Sequence, residues 1–304
     1  MTTPIPLKGP RLKHDGTLTI ATAKTAKARE WRSNEVLWSA IVKRLEEPTR
    51  INATTREYHA APKSEQGRLK DVGGFLKGPA TGGRRRSGCV QRLYLLALDL
   101  DYPKPGLVDT LRALYDFGWV VHSTCSHRED RPRLRLIAPL ARAVSGDEWQ
   151  AVARRLAGDL GIEQFDPTTF ELERLNYWPA APRDADYVFE LCDAPWLDPD
   201  ELLARYDDWR DPYQWPRHER EESARAKAAE KAEDPAAKRG IVGAFCRTYS
   251  IENAIATFLP DVYEPFGDDG SRYTYRGGST AGGLVVYDGG KFAYSHHGTD
   301  PVGG

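Results

Sequence analysis

The apolar positions of this chain recur in two periods, and the changes of period mark its elements. From Ser33, the run NEVLWSAIVKRLEE sets Val36, Leu37, Ala40, Ile41 and Leu45 on one helical face, predicting an amphipathic helix with Ser33 as N-cap. The run Leu93–Leu100 predicts a strand buried on both faces and ended by Pro103. Leu107, Val108, Leu111, Leu114 and Tyr115 return to helical spacing within Pro105–Gly118. Trp119–Thr124 and the alternating Arg133–Leu140 predict two strands joined through SHREDRP. Ser145 and Glu148 form a capping box ahead of the stripe Trp149, Val152, Ala153, Leu156 and Leu160, which Gly161 ends. Tyr187–Leu191 predicts a last strand. The order β-α-β-β-α-β is the split arrangement of ferredoxin-like sheets and places the core in the α+β class.

The flanks read differently. Residues 1–28 are polar and predict a flexible tail with one short strand near Thr17–Ala21. Between Pro216 and Arg239 the run HEREESARAKAAEKAEDPAAKR has no sustained apolar face and predicts a solvated helical linker broken near Pro235. A small α/β unit follows, with a helix capped by Ser250, the strands RYTYR and GGLVVYDGGKFAYSHH, and a hairpin turn at Asp288–Gly289–Gly290. The predicted organisation is a tail over 1–28, a core domain over 29–213, a linker over 214–239 and an accessory unit over 240–304. No run approaches the ~18–20 apolar residues that span a bilayer, and MTTPIPLKGPRLKHDG has no apolar leader, so a cytoplasmic protein is expected. The 4 cysteines are scattered without a CxxC pair, which removes the usual zinc and dithiol signatures.

A formal net charge of −1 over 304 residues conceals strong local imbalance. Lys63, Arg68, Lys70, Lys77, Arg84, Arg85, Arg86 and Arg92 face only Glu65 and Asp71 within the glycine-rich stretch 63–92, a local excess of six positive charges. Clustered arginines and glycines suit phosphate contact, and equally a solvated loop. GPATGGR lacks the Lys-Ser/Thr pair of a P-loop, which excludes an NTPase site there.

Asp99 and Asp101 end the buried strand. Alternation sends both carboxylates to one face, about 6–7 Å apart, where they repel unless a cation intervenes. Capping of the turn before Pro103 is the bland alternative, and a bare DxD also serves glycosyltransferases and phosphohydrolases. Its surroundings add Ser126–His127 at the end of the next strand and Arg133 and Arg135 on one face of the following one. Asp166 lies in FDPTTFELERLNYWP, with Glu171 and Glu173 as rival acids and Arg174 beside Tyr177–Trp178. That mixture of acids, cations and aromatic faces suits phosphate and base contact.

KDVGGFLKG (Lys70–Gly78), LDLDY (Leu98–Tyr102), SH…RPRLRLIAPL (Ser126–Leu140), FDPTTFELERLNYWP (Phe165–Pro179) and PWLDPDELLARYDDW (Pro195–Trp209) together resemble the archaeo-eukaryotic primase superfamily. More narrowly they resemble the primase-polymerase part of phage and prophage replication proteins of the virulence-associated E type. The resemblance implies a primase-polymerase domain over 29–213 and an active site of DxD, S-x-H and a later acid. These map onto Asp99 and Asp101, onto His127, and onto Asp166; the position two before His127 is Cys125, with Ser126 adjacent. The three acids would hold two Mg²⁺ or Mn²⁺ ions. Ser126, His127, Arg133, Arg135 and Arg174 would bind dNTP or NTP. Lys70, Lys77, Arg84, Arg85 and Arg86 would track a single-stranded DNA template carrying its primer. The C-terminal unit resembles the segment preceding a superfamily-3-like helicase. No Walker A motif occurs, so that helicase is expected outside this polypeptide. His296–His297 read as exposed strand-end residues, with metal or DNA binding as the alternative. The rival functions are a non-catalytic initiator or DNA-binding module and a metal-dependent nuclease or phosphohydrolase. Primer extension separates all three.

Overall fold

The computed structural model describes residues 11–221, 223, 234–267, 270–287, 290 and 292–302. Residues 222 and 224–233 of the predicted charged linker and Asp288–Gly289 of the predicted hairpin turn lie outside these residues. In chain order the first half carries β1 (Thr17–Ala23), β2 (Arg32–Leu37), α1 (Trp38–Glu46), β3 (Thr49–Ile51), α2 (Thr55–Ala60), α3 (Lys63–Leu69), β4 (Gly74–Leu76), β5 (Leu93–Leu100) and α4 (Leu107–Leu114). There follow β6 (Trp119–Ser123), β7 (Leu134–Val144), α5 (Gly146–Leu160), β8 (Asn176–Tyr177), β9 (Ala180–Pro182), β10 (Phe189–Cys192) and α6 (Pro199–Leu203). The C-terminal unit contains α7 (Gly240–Thr248), α8 (Ile251–Phe258), β11 (Tyr263–Phe266), β12 (Arg272–Tyr275), β13 (Leu284–Tyr287) and β14 (Phe292–Ser295). Among the described residues no helix is long and apolar enough to cross a membrane.

The central sheet has the antiparallel order β10-β6-β7-β5. β7 separates β5 from β6, as a split βαβ unit requires. The edge is a correction: in a ferredoxin-like sheet the last strand lies beside the first, whereas β10 lies beside β6. Two short strands, β8 and β9, intervene before β10 and pair elsewhere, β8 with β4 and β9 with β3. The segment after α5 is thereby drawn across the far side of the sheet before it returns.

Both faces of the central sheet are covered, as the continuous apolar run of β5 predicts. Leu96, Leu98, Leu136, Leu140 and Val121 pack with Leu111 of α4 and Val152 and Leu156 of α5. The alternate residues Leu95, Ala97, Val120 and Ile137 meet Ile41 and Val42 of α1 and Leu18, Ile20 and Phe75 of a second sheet. That second sheet, β2-β1-β4-β8, overrides two expectations. Within the first 28 residues, Thr17–Ala23 is an inner strand with a neighbour on each side rather than part of a tail. Residues 32–37 pair with β1, so the helix starts at Trp38 and Ser33 does not cap it. Its hydroxyl instead accepts from the Ala80 N–H at 3.0 Å. Helical spacing is a weak preference beside a ladder of cross-strand hydrogen bonds. The Ser145–Glu148 capping box forms as predicted.

The C-terminal sheet runs β11-β12-β13-β14. It meets the core at the start of α5, where the buried Asp147 carboxylate accepts from the N–H and hydroxyl of Ser279 (2.8 and 3.2 Å) and of Thr299 (both 3.2 Å). His297 is buried, not exposed: its Nε2 accepts from the N–H groups of Tyr275 and Gly283 at 3.0 and 3.1 Å, which ties the hairpins together.

Candidate active site

The two-residue period of the central sheet builds the site. On the face that packs toward α1, one register row is apolar, with Ala97, Ile137 and Val120 side by side. Two residues along, the same row becomes Asp99, Arg135 and His122. The polar row begins where the layer between the two sheets ends, at a cavity of about 370 Å³. Asp99, Asp101, Asp166, Ser126, Arg133, Arg135, Arg174 and Lys70 line this cavity together with His122.

Backbone pairing brings in the third acid. Phe165 bridges to Leu100, the Asp166 N–H donates to the Asp99 carbonyl at 2.9 Å, and the Asp101 N–H donates to the Gln164 carbonyl at 2.9 Å. The segment before the 3₁₀ turn at Pro167–Phe170 thus extends the sheet beside β5, and Asp166 caps that turn by accepting from the Thr168 N–H at 3.0 Å. Thr169 closes the junction, its hydroxyl accepting from the Asp99 N–H at 2.9 Å.

Each strand-end acid holds a guanidinium. Arg135 donates from Nε and Nη2 to the two oxygens of Asp99 at 2.6 and 3.2 Å, and from Nη1 to the Tyr177 carbonyl at 2.8 Å. Burial opposes the Asp99 charge, but Arg135 overcomes it and holds the carboxyl below its usual range. Arg133 pairs with Asp101 and lies over the Tyr102 ring. Arg174 stands 3.6 Å from both Asp166 and Glu171, a looser contact. Lys70 has no carboxylate partner among the described residues; its Nζ sits 5.0 Å from the Tyr177 ring centre, and burial lowers its pKa.

Three carboxylates offer only oxygen, which suits Mg²⁺ or Mn²⁺ in donor chemistry. As arranged, however, no three His, Cys, Asp or Glu side chains among the described residues are gathered to hold an ion. Guanidinium groups pair with Asp99 and Asp101, so a divalent cation bound there would have to displace them.

Lys77, His127 and Arg84–Arg86 stand away from the cavity. Lys77 is fully buried rather than on the surface: its Nζ donates to the Glu171 carbonyl at 2.6 Å and lies 4.3 Å from the Trp149 ring centre. His127 does not line the cavity; its Nδ1 accepts from the Arg133 N–H at 3.2 Å, bracing the hairpin that carries Arg133. Ser126 reaches the cavity wall, 3.3 Å from the Tyr58 hydroxyl. The basic glycine stretch is mostly folded, and some of its glycines serve packing: a Cβ on Gly78 would sit 1.9 Å from the Arg92 carbonyl oxygen. Arg84, Arg85 and Arg86 remain exposed outside the cavity, in a loop fastened by the Gly88 N–H to the Glu173 carboxylate at 2.5 Å.

His122 escapes sequence reasoning, although a histidine inside the apolar run WVVHS is a visible irregularity. It is 1 % exposed, and burial together with Arg135 lowers its pKa to about 4, which keeps the ring neutral.

Residues 6–218 match the family model described as the VapE N-terminal domain. Among solved structures, the AEP domain of the primase-polymerase of cyanophage S-2L is similar at 12 % identity and a TM-score of 0.34, covering 62 % of this chain and 87 % of that one. No curated protein matches the chain.

Proposed function

The chain belongs to the VapE N-terminal domain family, and from that premise we propose that it is a template-directed nucleotidyltransferase, a primase or primase-polymerase of the archaeo-eukaryotic type acting in DNA replication. The observation that carries this reading is the meeting of Asp99, Asp101 and Asp166 with Arg133, Arg135, Arg174 and Lys70 in one cavity. Phosphoryl chemistry needs positioned carboxylates and cations rather than a covalent nucleophile.

Asp99, Asp101 and Asp166 would hold two Mg²⁺ or Mn²⁺ ions, which supply activation of a primer 3′-hydroxyl and charge at the pyrophosphate leaving group. Lys70 and Arg174, free of tight carboxylate pairing, present positive charge to a dNTP or NTP triphosphate. Arg133 and Arg135 balance the acids until a cation does so. His127 orients the Arg133 backbone. The 240–304 unit, docked through Asp147, is an accessory domain, and a helicase is the expected partner.

The test is extension of a labelled primer on single-stranded template with dNTPs and Mn²⁺, repeated without primer and with NTPs. Growth of the primer is expected. Degradation of the strand indicates a nuclease, and binding without incorporation indicates an initiator module; either result refutes the proposal.

Arg84–Arg86 face solvent and suit the template backbone. Replacing all three with alanine is expected to weaken single-stranded DNA binding and to reduce the slope of log K against log[salt] by about 2, or ~0.7 per lost phosphate contact. A fluorescence anisotropy titration at several salt concentrations reads this directly, and an unchanged slope removes the loop from the template path.

A further inference from the structure

The geometry points to His122 as a positioning residue: a second, waiting partner for Arg135 when a cation occupies Asp99. This inference rests on the nucleotidyltransferase reading for its purpose but not for its test. Four observations carry it.

First, Asp99, Arg135 and His122 stand in one register row on neighbouring strands, Asp99 opposite Arg135 and Arg135 opposite His122. Directly opposed residues of antiparallel strands share a face with Cβ atoms ~4.5–5.5 Å apart, so the guanidinium lies between a carboxylate on one side and an imidazole on the other. Second, the His122 tautomer is fixed. Nδ1 lies 2.9 Å from the Ser123 carbonyl, which can only accept, so Nδ1 carries the proton and Nε2 is a bare acceptor. Third, that Nε2 is buried and has no hydrogen-bond partner among the described residues. A buried acceptor without a donor is costly and is seldom kept without a use. Fourth, the Arg135 side chain is only 7 % exposed. A guanidinium displaced from Asp99 has little access to bulk water there, so a buried acceptor stabilises it.

The two states then differ by one exchange. With no divalent cation, Nε and Nη2 of Arg135 hold Asp99, and the Tyr177 carbonyl fixes Nη1. With a cation on Asp99, the fork gives up the carboxylate and donates to Nε2 of His122, while the Tyr177 contact serves as pivot. The neutral ring accepts the cation-bearing side chain without adding charge to the site.

The decisive experiment is a double-mutant cycle on urea unfolding with Asp99→Asn and His122→Leu, which needs no metal or substrate. Asn at 99 removes the charge that holds Arg135 and mimics its occupation. His122→Leu in the parent chain breaks no hydrogen bond of Nε2 and is expected to raise the unfolding constant only by the loss of the Nδ1 bond to the Ser123 carbonyl, a cost common to both backgrounds. In the Asp99→Asn background, where Arg135 relies on Nε2, the same change is expected to raise it at least tenfold. Equal effects in both backgrounds overturn the inference, as does a large loss confined to the parent. His122→Gln, which keeps an acceptor, is expected to restore most of the loss, a rescue that packing alone does not give. Mn²⁺ affinity, read by electron paramagnetic resonance, supplies the second measurement: His122→Leu should weaken binding at least tenfold. If the parent protein binds no Mn²⁺, the metal-dependent reading fails, while the unfolding cycle still decides the role of His122.

Discussion

Asp101→Ala is expected to abolish primer extension and leave the fold intact, whereas Asp99→Ala is expected to abolish extension and also to destabilise the protein by about 3 kcal/mol. The two acids belong to one motif and line one cavity, yet their surroundings differ. The Asp101 side chain is 34 % exposed, and its partner Arg133 can turn toward water. Arg135 is enclosed, and removing Asp99 takes away its carboxylate partner while the Tyr177 carbonyl still accepts from Nη1. Breaking a buried pair from one side costs ~3–5 kcal/mol, and the low end applies because His122 offers a second acceptor. Urea unfolding of both variants beside the extension assay checks the pair of outcomes. Equal stability of the two variants would show that Asp99 and Arg135 are not a buried unit. Extension by either variant at the parental rate would remove that acid from the chemistry.

Lys77→Met is expected to raise stability at neutral pH while lowering the proposed extension activity. Burial holds the Lys77 amine near pKa 7, against an ordinary value of 10.5. The sign follows from proton counting. Between about pH 7 and 10.5 the unfolded chain binds a proton that the folded chain does not, so this residue makes stability rise with pH across that window, by at most ~1.4 kcal/mol per unit. Below pH 7 both states are protonated and its full cost is present. Methionine keeps the volume without titrating, so the variant should be about 3 kcal/mol more stable at pH 7, with the difference fading toward pH 10.5. Lys77 nevertheless anchors the carbonyl of Glu171, in the loop that carries Asp166 and Arg174. Loosening that loop is expected to slow extension about tenfold, since small misplacements of reacting groups are expensive in rate. Stability of both proteins by urea unfolding from pH 6 to 10 gives the comparison. Parallel curves would mean that the Lys77 amine titrates normally.

Much of the fold was legible wherever a segment's own periodicity and its tertiary environment agree. The apolar run of β5, the stripe and capping box of α5, and the β6–β7 pairing are all present in local sequence. Local pattern failed where a distant strand competes for the backbone. Residues 32–37 carry helical spacing but pair with β1, and the short strand expected near Thr17–Ala21 is an inner strand between β2 and β4 rather than part of a flexible tail. The position of β10 was equally hidden, because which edge a strand joins depends on the path of the intervening chain, here through β8 and β9.

The candidate site divides along the same line. The sequence by itself determined the acids: alternation put Asp99 and Asp101 on one face, and a loop rich in Asp, Arg and aromatic residues marked Asp166 and Arg174. It also determined that Arg133 and Arg135 share a face, since a strand's period of two is a property of the backbone. Only the tertiary structure decided that Asp166 joins them, through its N–H on the Asp99 carbonyl. Only the tertiary structure turned Lys77 inward, left Arg84–Arg86 outside, and set His122 rather than His127 on the cavity wall. Charge and spacing are local, but burial and the choice of partner are fixed by which segments pack together, and those depend on residues tens of positions away.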